Sequence, residues 1–328
     1  MNSYGNLFKV TLYGESHQDA IGVVIDGVMP GTIIDIEKIK SDLELRKPKA
    51  IGTTPRKEDD EPIITSGVFN GKATGSPIHI MIKNKNIKSK DYDHLKKQPR
   101  PGHADFVAEM KYHGFQDHRG GGRFSGRLTA ALVAAGSIAK MMLPYAFSHQ
   151  LKQIGTLTDM TKIDAYLKEI ISQGDSVGGI VAVNVKGVEV GLGEPMFEKL
   201  DAELAKMMFS IPAVKGFEMG LGFKGVNSLG STFNDLIIDE SGKTKTNHAG
   251  GVTGGISNGN DITFNVFVKP TSSIQKQQKT YDFSKNDIST LKVGGRHDVA
   301  IVRRVGIVLE NAAAIVLADA YLKNKMYK

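Results

Sequence analysis

The residues of this chain best suited to chemistry sit in polar, glycine-rich segments. His17 follows Gly14-Glu-Ser, and His103 lies within Arg100-Pro-Gly-His103-Ala-Asp105. Histidine titrates near neutrality, so two of them in ligand-lining loops can give and take protons, although one loop histidine by itself is more often a surface residue. Gly295-Arg296-His297-Asp298 sets a carboxylate beside a cation, which can handle a proton or merely brace a turn. In Gly121-Gly-Arg123-Phe-Ser-Gly-Arg127, glycines and two arginines run straight into an apolar helical stretch. Backbone N–H groups and guanidinium forks can converge there on an anion at a helix start; a tight ligand-free turn is the plainer alternative.

Two motif matches fail on context. Gly220-Leu-Gly222-Phe-Lys-Gly225 has GxGxxG spacing, but the residues after it do not open the helix of a βαβ unit, which argues against a dinucleotide fold. The 121–128 segment mimics a P-loop, yet Arg127 replaces the lysine and Leu128 the hydroxyl that holds Mg²⁺, so ATP hydrolysis is not expected. The nine histidines show no HExxH and no metal-ligand spacing, so no metal is expected. The absence of cysteine excludes disulfides, thiolate metal sites and a cysteine nucleophile.

These residues need elements to position them. Apolar alternation predicts strands over 7–13, 21–28, 63–68, 78–83, 180–185, 236–239 and 262–268. Helical periodicity predicts helices over 36–45, 127–143, 163–172, 197–209 and 312–323, with Pro195 near the start of the fourth. Strands and helices are mixed without regular alternation, which points to an α+β fold with largely antiparallel sheets in one large domain, 1–328. Glycine, 37 of 328 residues, exceeds its usual share of roughly 7%, which marks many sharp turns or close approaches to a ligand. The net charge of +7 favours anionic partners, either nucleic acid or small phosphorylated and carboxylated molecules. The first ten residues show no signal-peptide pattern, and 128–143, read as the most apolar stretch, is too short to span a membrane. A soluble cytoplasmic protein without a membrane partner is expected.

Taken together the motifs become specific. The run from Gly14-Glu-Ser-His17 to Pro30 resembles the N-terminal signature of the chorismate synthase family. The 100–105 stretch is similar to that family's second histidine loop, and Arg119-Gly-Gly-Gly-Arg-Phe-Ser-Gly-Arg-Leu-Thr129 resembles its RGGGRSSARET box. Asn247-His-Ala-Gly-Gly, Gly254-Gly-Ile-Ser257, Lys269-Pro-Thr-Ser-Ser-Ile274 and Gly295-Arg-His-Asp298 follow in the family's order. The resemblance implies a β-α-β sandwich, two antiparallel sheets flanking helices, assembled as a homotetramer. It implies conversion of 5-enolpyruvylshikimate 3-phosphate to chorismate and phosphate by 1,4-anti elimination, with reduced FMN required and no net redox change.

Roles follow from the same match. His17 resembles the histidine that keeps reduced flavin in its proper protonation state, and His103 the one that protonates the departing phosphate. Asp298, with Ser16, resembles the group that relays the proton from the flavin. The implied flavin contacts are Arg123, Phe124, Ser125, Thr232, Phe233, Gly254, Lys269, Pro270, Thr271, Ser272, Ser273 and Arg296. Arg46 matches an arginine assigned to substrate or to NADP, and Arg127 is a further candidate for the substrate's anions.

The chain also departs from the family pattern. The loop at Leu45-Arg-Lys-Pro-Lys49 is one residue short, with Gly52 near the place of a second arginine, which shifts anion binding toward Lys47, Lys49 or Arg56. Phe124 and Phe233 stand where small residues are usual, and Leu128 where glutamate is. No nicotinamide site is visible, so flavin reduction is expected from an outside source, an external flavin reductase with NADPH upstream. Two other readings are an FMN-binding paralogue without turnover and a basic nucleic-acid-binding protein. Against the latter, basic residues are spread along the chain with no aromatic–basic stacking motif.

Overall fold

Alternating apolar side chains build two antiparallel sheets. In the computed structural model, which describes residues 1–54, 59–85, 95–295 and 297–327, the first sheet contains β1 (Ser3–Tyr4), β2 (Lys9–Gly14), β3 (Ala20–Asp26), β4 (Pro62–Ser66) and β7 (Ile78–Lys83), ordered β1-β2-β3-β7-β4. The hairpin β5 (Val68–Phe69) and β6 (Lys72–Ala73) lies between β4 and β7 in sequence. The second sheet contains β8 (Ala146–Ile154), β9 (Gly179–Lys186), β10 (Val214–Met219) and β13 (Ile262–Val268), ordered β10-β13-β9-β8. Two further hairpins are β11 (Val252–Thr253) with β12 (Ile256–Ser257), and β14 (Gln278–Asp282) with β15 (Asp287–Leu291). In β7, Ile78, Ile80 and Ile82 point into the core and are fully buried, each stabilising the fold by about 1.5–3 kcal/mol relative to exposure. Strand β13 does the same with Ile262, Phe264, Val266 and Val268.

Helices fill the space between the sheets. The α-helices are α1 (Ile36–Arg46), α2 (Asp105–Tyr112), α3 (Thr129–Met142), α4 (Ile163–Ser172), α5 (Leu200–Phe209), the short α6 (Gly230–Phe233) and α7 (Val302–Asn324), and those that pack most on sheet strands are α1, α3, α5 and α7. Helix α3 packs on β3 and β7 of the first sheet, α7 packs on β8 and β9 of the second, and the two helices lie against each other. One continuous apolar core therefore joins both sheets. At the α3–α7 crossing a Cβ on Gly136 would come within 2.3 Å of the Asn311 Cβ, so only glycine permits the approach. Helix α1 starts where the Asp35 carboxylate accepts from the backbone N–H of Glu37 and Lys38, a side-chain N-cap.

The α+β expectation holds, with local corrections. Residues 236–239 form no strand: Ile237 makes only an isolated bridge to Thr244, and Leu236, Ile237 and Ile238 are exposed. The fourth helix begins at Leu200, because Phe197 takes a left-handed φ of 56°. The last helix starts ten residues before the periodic stretch, at Val302. It, and not 128–143, is long and apolar enough to cross a membrane, but most of it is buried inside the protein, as a core helix must be. Strands β8, β10, β14 and β15 and helix α2 were not predicted.

Candidate active site

A cavity of about 570 Å³ opens where the C-terminal end of α1 meets the N-terminal ends of α3 and α7 and the loop after β13. Among the described residues, five arginines and three lysines line it against two carboxylates, Asp60 and Asp298. Its size suits a small ligand and its charge suits a polyanion.

One wall is the glycine-rich segment before α3. Gly120, Gly121 and Gly122 take φ values of 59°, 79° and 48°, three left-handed residues in a row. A Cβ at 120 would stand 2.4 Å from His17 Nε2 and 2.8 Å from Ser16 Oγ, and one at 122 would stand 1.9 Å from the Asp117 carbonyl oxygen. No other residue type fits this arch. Ser16 N donates to the Gly122 carbonyl at 3.2 Å. Ser16 and His17 are consequently buried behind Gly120 and do not line the cavity. Ser16 Oγ has no hydrogen-bond partner among the described residues. Arg123 anchors the arch to β2 by donating to the carbonyls of Gly14 (3.2 Å) and Leu12 (2.9 Å) and to Asn2 Oδ1 (2.9 Å). All three acceptors are neutral, so its charge stays available to a ligand, and burial pushes its pKa down.

A buried ion cluster forms a second wall. Arg46 Nη2 donates to Asp60 Oδ2 at 2.7 Å, and Arg127 Nη1 donates to Asp60 Oδ1. Arg127 is fixed further by Asn84 Oδ1 (2.9 Å) and the Lys83 carbonyl (3.2 Å). Burial pushes the Asp60 carboxyl up, but the two guanidinium groups outweigh it and hold the group below its ordinary range. Burial also lowers the Arg46 pKa, against the opposing pull of Asp60. Two cations share one anion here, and Arg46 Nε is buried without a partner among the described residues. The net positive charge of this cluster favours an added anion.

The third wall joins the loop before α2 to the loop after β13. Arg100 Nη1 donates to Ser273 Oγ at 2.9 Å, and Ser272 Oγ donates to the Gly102 carbonyl at 2.6 Å. Lys269 Nζ donates to the same carbonyl (3.2 Å) and to Ser272 Oγ (2.6 Å), while burial lowers its pKa and nearby Lys215 adds to the effect. Thr271 Oγ1 is buried with no partner among the described residues. Asp298, at the entry to α7, accepts from Thr54 N (3.0 Å), Arg304 Nε (3.0 Å) and Arg304 Nη2 (2.7 Å). His297 beside it donates from Nε2 to the Gly294 carbonyl at 2.9 Å; burial, above all, lowers its pKa.

The structure thus gathers Arg46, His103, Arg123, Phe124, Ser125, Arg127, Lys269, Thr271, Ser272, Ser273 and Asp298 around one cavity, with Pro270 within the same loop. Thr232, Phe233 and Gly254 lie outside its lining. Thr232 and Gly254 are exposed, and the Phe233 ring rests against His248. That region is organised by Asp235, which accepts from His248 N, Ala249 N and Thr246 Oγ1 and so ties the segment after α6 to the Asn247-His-Ala-Gly-Gly motif. The bulk of Phe233 therefore does not intrude on this cavity, whereas Phe124 stands in its wall. Lys47 and Lys49 both pair with Glu44, so neither substitutes freely for a missing arginine. Arg56 and Arg296 fall outside the described residues. Sequence reasoning missed Asp60, Arg304, Lys215 and His297. The Arg303-Arg304 pair opening an apolar helix was the readable signal for one of them, and Asp60 had none beyond a run of charges.

A positively charged cavity lined by His103, His297, Asp60 and Asp298 in an α+β sandwich is the kind of site an enzyme acting on a small molecule needs. The comparisons agree. The chorismate synthase family model matches residues 8–322. Chorismate synthases from Chitinophaga pinensis and Christiangramia forsetii are 51% and 47% identical to this chain; the alignments cover all of it, and 100% and 99% of those proteins. A crystal structure of chorismate synthase superposes with a TM-score of 0.75 at 25% identity, covering 98% of this chain and 93% of the other. The chain belongs to the chorismate synthase family, lyases that eliminate phosphate in aromatic amino acid biosynthesis.

Proposed function

We propose that this protein converts 5-enolpyruvylshikimate 3-phosphate to chorismate and phosphate by 1,4-anti elimination, with reduced FMN as cofactor. The surplus of cations around one cavity carries this reading, because substrate and cofactor together bring two phosphates and two carboxylates. The cofactor fits the residues present: Thr271 Oγ1 is an orphaned buried hydroxyl beside Ser272 and Ser273, Arg123 is a cation held only by neutral acceptors, and Phe124 offers a ring. When bound, reduced FMN would supply an electron-rich ring system to the elimination, and Arg123, Phe124, Ser125 and 269–273 would hold it. Arg46 and Arg127 bind the substrate's anionic groups. His103 gives a proton to the departing phosphate, Asp298 with Ser16 relays the proton that is lost, and His17, behind Gly120, keeps the cofactor in its proper protonation state.

NADPH serves upstream through an external flavin reductase, in the cytoplasm, and the protein is a homotetramer. The face that carries Thr232 and Phe233 supports assembly: Phe223, Val226 and Leu229 on it are 80%, 77% and 74% exposed, the composition of a surface covered in an oligomer. A second copy would then be needed to bring residues such as Thr232 and Gly254 to a flavin, and sedimentation as a monomer would reject the assembly. The direct test is an anaerobic assay with 5-enolpyruvylshikimate 3-phosphate and chemically reduced FMN. Equal amounts of chorismate and phosphate are expected; flavin binding without product would identify a paralogue that has lost turnover.

A further inference from the structure

Asp105, the first residue of α2, has no role in the reading above, yet it makes the closest polar contact to His103. Its Oδ1 lies 2.6 Å from His103 Nδ1. The same carboxylate is held by Arg100 on three sides: Nη2 donates to Oδ1 at 2.8 Å, Nε to Oδ2 at 2.8 Å, and the backbone N–H to Oδ2 at 3.0 Å. Arg100 is in turn fixed by Ser273 Oγ, so the carboxylate cannot swing away. Arg100 Nη2 also stands 3.0 Å from His103 Nδ1. A guanidinium only donates, so Nδ1 either accepts from Arg100 or, carrying a proton, donates to Asp105. The shorter contact and the formal charge on the acceptor select the second.

We propose that Asp105 is a positioning residue that keeps the proton of His103 on Nδ1 and thereby presents Nε2 as the edge that exchanges protons in the cavity. The proposal rests on the reading of His103 as the acid for the departing phosphate. The hydrogen-bond and ion-pair contacts of the His103 ring among the described residues are all at Nδ1, and a Cβ added at Gly121 on the arch would stand 3.6 Å from Nε2. In the step assigned to His103, the electron pair of the breaking C–O bond leaves on the phosphate oxygen and the Nε2 proton goes to that oxygen. The ring ends neutral with its remaining proton on Nδ1, still bonded to Asp105, and a proton from solvent restores the cation. Arg100 pairs with the same carboxylate and so holds it in place beside the ring; His297 is a further charged neighbour when protonated. Sequence offered no sign of this pair beyond the two-residue spacing within Arg100–Asp105.

The test compares Asp105→Asn, Asp105→Glu and His103→Ala in the full-length protein with reduced FMN. Asp105→Asn is expected to lower kcat about 10²-fold with KM and flavin affinity nearly unchanged, and to shift the His103 limb of the pH profile to lower pH. Asp105→Glu should recover part of the loss. The double variant His103→Ala/Asp105→Asn should be no slower than His103→Ala alone. Unchanged kcat and pH profile in Asp105→Asn, or losses that multiply in the double variant, would overturn the proposal. Full turnover in His103→Ala would instead remove the reading of His103 on which it rests. Should Asp105→Asn fail to fold, nitrogen NMR of histidine-labelled wild type decides: a protonated Nδ1 on His103 is expected, and a bare one refutes the pairing.

Discussion

At the scale of single residues, the site is governed by what glycine and buried charge permit. Gly120 is the clearest case, because its left-handed backbone and the His17 ring behind it leave no room for a side chain. Gly120→Ala should lower stability by about 1–3 kcal/mol and reduce turnover by displacing His17 and Ser16. Thermal unfolding and the anaerobic assay read the two effects, and a variant with the wild-type melting temperature and rate would show that the arch can relax. The glycines and arginines of 121–127 were read in the sequence as a candidate anion site at a helix start. That Gly120 just before them covers His17 was not legible, since 103 residues separate Gly120 from the ring it touches.

Elements were legible in proportion to how one-sided their environment is. Strands β7 and β13 were found to the residue because each alternates strictly between core and the opposite face. Strand β8 was missed because it is an edge strand with one exposed face, and its inward face carries the polar His149 and Gln153 beside Phe147 and Leu151, which hides the alternation. The first turns of α7 were missed because Arg303, Arg304 and Glu310 interrupt the apolar pattern. Those interruptions are functional or paired: Glu310 reaches His149 Nδ1 at 2.7 Å and Lys140 Nζ, and Lys140 continues to Asp42 at 3.2 Å, linking α7, β8, α3 and α1. Burial pushes the Glu310 carboxyl up, but His149 and Lys140 overcome this and hold it below its ordinary range. A carboxyl with a lowered folded-state pKa contributes stability above about pH 4 that is lost as pH falls through the folded value. Glu310→Gln should therefore cost about 3–5 kcal/mol at neutral pH, and the gap to wild type in urea denaturation should narrow below about pH 4. A gap independent of pH would assign the loss to packing instead.

At the scale of the whole molecule, the sandwich is a scaffold whose two sheets and intervening helices bring together segments from residue 46 to residue 304. Composition foretold a basic protein with an anionic partner but could not say where the charge sits. The cavity answers this: its lining carries a surplus of six positive charges among the described residues, against +7 for the entire chain. By the same count the rest of the chain carries a net charge of +1. The imbalance also has a kinetic meaning. A concave positive patch between low-dielectric walls focuses its field into solvent, so a multiply charged small molecule is drawn in faster than its size alone allows. That attraction is screened by mobile ions over about 10 Å at 0.1 M salt. Capture, read as kcat/KM, should fall as salt is raised, while kcat, which begins after the ligand has arrived, should hold. The lining proposed to bind the substrate would thereby also set how quickly it is found.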